Sequence, residues 1–454
     1  MSQITLAYIA AGLAWAALIA YAVLGGADFG GGIWDLLAVG RTAQRQRAAI
    51  ARALGPVWEA NNVWIIFALV VTWTAFPLVY AAVSTALFIP ITFALVGIVL
   101  RGAAFGFRAH IPASVRISRV WGRVFSIASV IAPFLLGTCA GALASGHIRV
   151  QNSQVHASFF TTWTTPFSLA CGAFALGLCT VLAATYLTVE AQQVSDYTLV
   201  ALFRIRAILA GAVTALIGAL AAVLAYFEAP VLWNGLMGKA APLAIAAIVI
   251  GLFTATTLLL GYYRIARIGV AAETVCIFAA WAVAVAPYLV VPDLTVSNTA
   301  SPAITLGYLL ISVGIGLALV LPSLGLLISV FKGSNPAAEQ FAQEESQEFY
   351  PTSEKQPSSS GASRGGEQNL PTGKAASVAT QAVSKATGKS PQETRQIAHS
   401  LEQKAARGTA TTGLLLALAV LMEVAQVGWQ QLTIARIRRK LRKRQQRRHM
   451  ATPI

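Results

Sequence analysis

Charge is scarce in this chain. Only 11% of its 454 residues are Asp, Glu, Lys or Arg, while 56% are hydrophobic and the mean hydropathy is +0.67. A soluble domain carries about 25% charged residues, so a water-soluble globular class is excluded. Histidine and methionine are also sparse, and their placement excludes more. His110, His147, His156, His399 and His449 fall in loops or in the tail, and the nine span-length apolar runs within residues 1–331 contain no Met. Haem iron in a membrane bundle is usually held by inward-facing His or Met, and these runs offer neither. Cys139, Cys171, Cys179 and Cys276 lie inside apolar runs with no CxxC spacing, and read as small core residues rather than disulfides or metal ligands. There is no Gly-rich phosphate loop and no metal-ligand cluster. No Lys or Arg precedes Arg41, so the basic region of a cleaved signal peptide is missing and the first run reads as a retained span.

The chain is instead filled with apolar runs, and spanning a bilayer takes about 20 such residues. Nine candidates lie near 4–27, 57–76, 78–100, 122–143, 166–188, 207–227, 241–263, 269–290 and 304–331. Phe76-Pro77 predicts a tight hairpin between the second and third, and the first is expected to continue helically to about Ala38. Loop charges orient them. Arg41, Arg45, Arg47 and Arg52 follow the first run, and Arg101, Arg108, Arg116, Arg119 and Arg123 follow the third. Arg204 and Arg206 follow the fifth, and Arg264 and Arg267 the seventh. The alternate loops hold only Arg149 and Lys239. The positive-inside rule then places the N-terminus outside and the end of the ninth run inside.

An ionisable group at membrane depth costs at least about 2.5 kcal/mol, so each one is a functional candidate. Three fall at the expected cytoplasmic ends of consecutive runs: Asp28, Glu59 and Arg101. Asp28 lies within Gly25-Gly26-Ala27-Asp28-Phe29-Gly30-Gly31-Gly32, where the spacing of Gly26 and Gly30 admits a close neighbouring helix. Glu59 lies within Gly55-Pro56-Val57-Trp58-Glu59-Ala60-Asn61-Asn62-Val63-Trp64. Pro56 suits a helix start, an acid there is favoured by the dipole, and Asn62 continues the face of Glu59. Two readings stand: a proton entrance, or a structural cluster in which Arg101 neutralises an acid near the headgroups. Asp35 and Asp293 read as solvated interface residues, and Glu273 as a weaker proton-path candidate.

These motifs, with Phe76-Pro77-Leu78-Val79-Tyr80 and Arg101-Gly102-Ala103-Ala104-Phe105-Gly106-Phe107-Arg108, resemble subunit II of the cytochrome bd-type quinol oxidases, including the cyanide-insensitive branch. The resemblance covers about residues 1–331. It implies an all-α, polytopic bacterial inner-membrane protein of nine transmembrane helices, arranged as two four-helix bundles plus one peripheral helix. It implies a haem-free chain paired with a subunit I that carries haems b and d, oxidises quinol and reduces dioxygen. Some members add a small single-span accessory subunit. Asp28, Glu59 and Arg101 match the family's charged positions, with Asn62 beside them on a proton path. Trp58 and Trp64 match its tryptophans on the second span, the latter near a dioxygen route. Many members have aspartate at the position of Glu59 and an acid at that of Gly106.

Residues 332–454 fall outside the resemblance. Residues 332–389 are poor in large apolar side chains and read as a disordered cytoplasmic linker. Within 390–454, Ser390-Pro391-Gln392-Glu393 is a capping box and 413–434 an apolar segment. Nine basic residues between Arg436 and Arg448 supply much of the net charge of +16 and point to anionic lipid rather than nucleic acid. They oppose translocation, so the segment reads as lying in the membrane plane with the C-terminus cytoplasmic. Two other functions fit the residues alone: a proton-coupled secondary transporter with a broken first helix, and a purely structural scaffold.

Overall fold

The computed structural model describes residues 2–54, 58–110, 115–152 and 154–332. They belong to the first of two compact units, residues 1–354. The linker and the C-terminal segment expected over 332–454 lie, beyond Lys332, outside the described residues.

Thirteen helices make up almost all of the described chain. In order they are α1 (Gln3–Leu36), α2 (Ala43–Leu54), α3 (Trp58–Ala75), α4 (Pro77–Ala86), α5 (Phe88–His110), α6 (Val115–Ser145), α7 (Pro166–Gln193) and α8 (Tyr197–Glu228), then α9 (Pro230–Met237), α10 (Ala241–Leu260), α11 (Tyr263–Val285), α12 (Val296–Thr299) and α13 (Ala303–Lys332). Two antiparallel two-stranded pieces interrupt them: β1 (Arg149–Gln151) with β2 (Gln154–His156), and β3 (Tyr288–Val290) with β4 (Leu294–Thr295). Among the described residues seven helices are long and apolar enough to cross a membrane, and up to eight if the bent pair Asn61–Ala75 and Pro77–Ala86 counts as one span. Phe88–Ala104 is a shorter apolar helix.

The third run departs from the sequence expectation. It is not one helix from residue 78, because α4 ends at Ala86 and α5 restarts at Phe88. Pro90 explains the restart. It has no N–H for the Ala86 carbonyl and its ring would clash there, but it is tolerated in a first helical turn. Pro77 acts in the same way at the start of α4, where the chain turns by 119°. The hairpin expected at Phe76-Pro77 therefore contains a ten-residue helix. His110 also proves to be the last residue of α5 rather than a loop residue.

Helices in lipid gain little from the hydrophobic effect and associate through close van der Waals packing. α1 buries Ala7, Ala10, Ala14 and Ala17 at spacings of three and four, which brings its backbone near its neighbours. α6 and α7 interlock through glycine: a Cβ on Gly137 would lie 2.7 Å from Ala175 Cβ, and one on Gly172 2.7 Å from the Phe134 carbonyl. α8 turns Leu209, Val213, Leu216 and Leu220 outward, as a lipid-facing surface does.

Each end of the bundle is tied by polar contacts. At one end Arg149 clasps Asp293 through Nε at 2.9 Å and Nη2 at 3.2 Å, and the Val150 N–H donates to the same carboxylate at 2.8 Å. At the other, Arg45 reaches Asp196 at 2.5 Å, Arg267 lies 3.8 Å from Glu190, and Arg206 donates to Gln46 at 3.0 Å. Arg206 also sits over the Trp34 ring, 5.0 Å from its centroid. Asp35 is not a solvated residue as its position suggested. It is buried, accepts from Ser126 Oγ at 2.9 Å and faces Arg47 at 3.9 Å. Asp293, by contrast, stays partly exposed within its clasp, as an interface residue does.

Candidate functional site

α1 is a continuous helix through Gly25–Gly32 and beyond, to Leu36. The glycines bring α7 against it. A Cβ on Gly30 would fall onto the Cys179 carbonyl, and one on Gly26 would lie 3.1 Å from Leu182 and 3.6 Å from the Cys179 sulfur. Gly26 and Gly30 thus face the same neighbour, as the small-residue spacing predicts. This contact fixes the height of Asp28, which lies between them and is only 5% exposed.

Two helices complete the surroundings of Asp28. From α3, Asn61 Nδ2 donates to Asp28 Oδ2 and lies 3.4 Å from the Leu24 carbonyl. From α5 comes Arg101, 4% exposed, whose charge acts on Asp28, Tyr21 and Cys179. The guanidinium is sandwiched between aromatic faces, 4.8 Å from the Phe29 centroid and 5.3 Å from that of Phe125 on α6. Such desolvated cation–π contacts are worth about 2 kcal/mol. Arg101 does not end its helix. α5 runs on to His110, and Arg101 lies about 20 Å from its start at 1.5 Å per residue.

Glu59 is the second residue of α3 and so opens the helix that carries Asn61. Trp58 starts the same helix, and Asn62 lies half-buried on it. Trp64, partly buried, packs against a cluster that includes Tyr21, Phe29, Ile33, Ala132 and Cys179. Asn61, which sequence reasoning passed over for Asn62, makes the described hydrogen bond to Asp28.

Tyr21 was also missed. It is buried and meets Phe29 edge-on, with centroids 6.2 Å apart. Its ring lies over Gly25, where a Cβ would come within 3.0 Å of Cε2. The signal was available: Tyr21, Gly25 and Asp28 follow one another at helical spacing on one face. Glu273, by contrast, sits in the middle of α11, and its carboxyl lies against Gly251 of α10.

The nest combines a buried acid, an amide donor and a desolvated cation, which is chemistry suited to holding and passing a proton or to fixing helices. Among the described residues no group of three or more His, Cys, Asp or Glu is placed to hold a metal. Outside the spans, the Asp293 carboxyl is held below its usual range. Partial burial opposes ionisation, but the hydrogen bonds from Arg149 and the Val150 N–H outweigh it.

Fold and nest define the class: a polytopic helical membrane protein with a charged pocket buried among its first spans. Residues 6–331 match the family model described as cytochrome bd terminal oxidase subunit II. The chain belongs to that family. It is 30% identical over 148 residues to cytochrome bd ubiquinol oxidase subunit 2 of Bacillus subtilis, covering 32% of this chain and 43% of that protein. It is 28% identical over 173 residues to cytochrome bd-I ubiquinol oxidase subunit 2 of Escherichia coli, covering 37% of this chain and 45% of that one. In these alignments the chain spans less than half the length of either relative. A chain from the structure of bd oxidase from Geobacillus thermodenitrificans shares its fold with a TM-score of 0.60 and 21% identity, over 73% of this chain and 100% of that one.

Proposed function

We propose that this chain is the haem-free subunit II of a quinol:dioxygen oxidoreductase of the bacterial cytoplasmic membrane. In this reading it stabilises a haem-bearing subunit I and delivers cytoplasmic protons to the oxygen-reducing site. The carrying observation is the buried nest of Asp28, Asn61 and Arg101 in a chain of this family. A buried carboxylate in the field of a fixed cation can take up and release a proton inside the bundle, where an ionisable group is otherwise costly. Glu59, at the start of α3, is the expected entrance to it, with Asn62 on the same helix. Trp58 and Trp64 are assigned to the interface or to a dioxygen route from the lipid.

Nine spans follow if α3 and α5 each cross the membrane and α4 is the turn between them. The two four-helix bundles and peripheral helix are part of the same reading. The basic contacts gathered at one end of the bundle support a cytoplasmic face there, which places the N-terminus in the periplasm. Haems b and d are assigned to subunit I: the nine apolar runs of this chain carry no His or Met, and His110 comes only at the last residue of α5. The C-terminal extension remains on the cytoplasmic side against anionic lipid.

One observation bears on the other readings. α1 is unbroken through its glycines, which removes the broken-helix feature that favoured a transporter. A pure scaffold is separated by experiment. The complex is purified with Asp28→Asn or Glu59→Gln, and haem content and oxygen consumption are measured. Haems retained with turnover lost supports proton delivery. Haems lost supports the scaffold, and wild-type turnover in both variants rejects the proton role.

A further inference from the structure

The nest contains two buried polar atoms with no hydrogen-bond partner among the described residues: the Tyr21 hydroxyl and Arg101 Nε. Leaving such a group unsatisfied costs about as much as the hydrogen bond it forgoes, or more. Arg101 Nε–H can only donate, whereas the Tyr21 hydroxyl can donate and accept. Phe29 touches both groups: its ring meets Tyr21 edge-on with centroids 6.2 Å apart, and the Arg101 guanidinium lies 4.8 Å from its centroid, so the two share one region. Its walls are otherwise fixed. The Tyr21 ring is held by Gly25 beneath it and Phe29 beside it, and the guanidinium is held between Phe29 and Phe125. Neither side chain can swing away to another partner without breaking an aromatic contact.

From this we infer that Tyr21 and Arg101 hold an internal water beside Asp28. One water accepts from Arg101 Nε–H and exchanges a hydrogen bond with the Tyr21 hydroxyl. Its remaining hydrogen faces the carboxylate side of the nest. That meets the two to four polar partners a buried water requires. The consequence concerns direction. Tyr21 lies two turns of α1 before Asp28, about 10 Å along the axis. A proton that reaches Asp28 then has a next station further along α1, away from the Glu59 end of the pocket. Tyr21 is a positioning residue that orients the water.

The inference rests on the proton-delivery reading above, and the tests separate the two. In a high-resolution map of the intact oxidase, density for a water is expected within about 3.2 Å of both Tyr21 Oη and Arg101 Nε. A direct hydrogen bond between the two side chains, or a non-water group filling the space, overturns the inference. Tyr21→Phe keeps the ring over Gly25 and removes the hydroxyl. Oxygen consumption in the assembled variant is expected to fall about fivefold, the rate equivalent of one hydrogen bond. Its solvent deuterium isotope effect should rise, and its haem content should not change. Wild-type turnover and isotope effect in Tyr21→Phe reject the inference, even where Asp28→Asn abolishes turnover. Full turnover in Asp28→Asn rejects the underlying reading instead. If Tyr21→Phe fails to assemble, the map of the unmodified complex decides.

Discussion

The amide of Asn61 on α3 donates to the carboxylate of Asp28 on α1, and both side chains are buried. This contact spans 33 positions of sequence and joins two of the motifs that carry the family resemblance. It makes the first acid and the helix opened by Glu59 parts of one structure. Asn61→Leu removes the donor and leaves Asp28 with one partner fewer at membrane depth. The expected cost is about 1–3 kcal/mol of stability, because a buried acceptor loses its hydrogen bond. Thermal unfolding of the purified complex should come at lower temperature, and turnover should fall with it. Asn61→Asp should do worse than Asn61→Leu, since it sets a second acid against Asp28. Equal stability of Asn61→Leu and the unmodified protein would show the contact to be dispensable.

Asp28→Asn tests the charge rather than the contact. It keeps the shape and can still bond to Asn61, so haem content and assembly should persist. Oxygen consumption should drop at least about tenfold, equivalent to about 1.4 kcal/mol of barrier. Turnover within twofold of wild type would leave Asp28 a structural acid.

The helices were legible in the sequence because apolar runs of membrane length leave few alternatives. The break at Leu87 was not. Pro90 stands inside an unbroken apolar run, and its effect depends on being read as the first turn of a new helix rather than the middle of an old one. The charged members of the nest were legible for a similar reason, since an acid or arginine in such a run stands out. Asn61 and Tyr21 were not. An amide beside another amide, and a tyrosine among apolar residues, carry no mark of which face they occupy until α1 and α3 are packed together. Asp35 shows the opposite failure: its place near a run end suggested solvent, yet α6 brings Ser126 over it.

Glycine substitutions should separate packing from conformation. Gly30→Ala puts a methyl group onto the Cys179 backbone, which cannot yield without moving α7. Overpacking of this kind costs about 1–3 kcal/mol. Gly106→Ala, on α5, meets nothing within 4 Å. Thermal scans of the two variants should show a clear drop for the first and little change for the second. A well-tolerated Gly30→Ala would mean that α1 and α7 approach less closely than described.

The Arg149–Asp293 clasp should respond to acid. The folded-state pKa of Asp293 lies below its unfolded value, so the contribution of the clasp is present above the ordinary carboxylate range and is lost as pH falls through the depressed folded value. Hydrogen exchange of Val150 and its neighbours should therefore quicken as the pH drops below about 4. Asp293→Asn should exchange quickly at neutral pH and show no such transition. Protection unchanged by acid in the unmodified protein would remove the clasp from the account of this end of the bundle.

Glu273 provides the control for the proton route. It lies on α11 against α10, whereas Asp28 is surrounded from α1, α3, α5 and α7. Its carboxyl occupies the space left by Gly251, where a Cβ would come within 2.7 Å of Oε1. That contact makes it a packing group for the α10–α11 pair. Glu273→Gln preserves the shape and removes only titration, so oxygen consumption should stay within about twofold of wild type, less than the effect of one lost hydrogen bond. Gly251→Val should be the damaging change, because it drives a branched side chain into the carboxyl and forces the two helices apart. The pair of variants is decisive when run beside Asp28→Asn. If Glu273→Gln loses turnover as fully as Asp28→Asn while keeping its haems, protons do not travel by the nest alone, and α10 and α11 carry a second route.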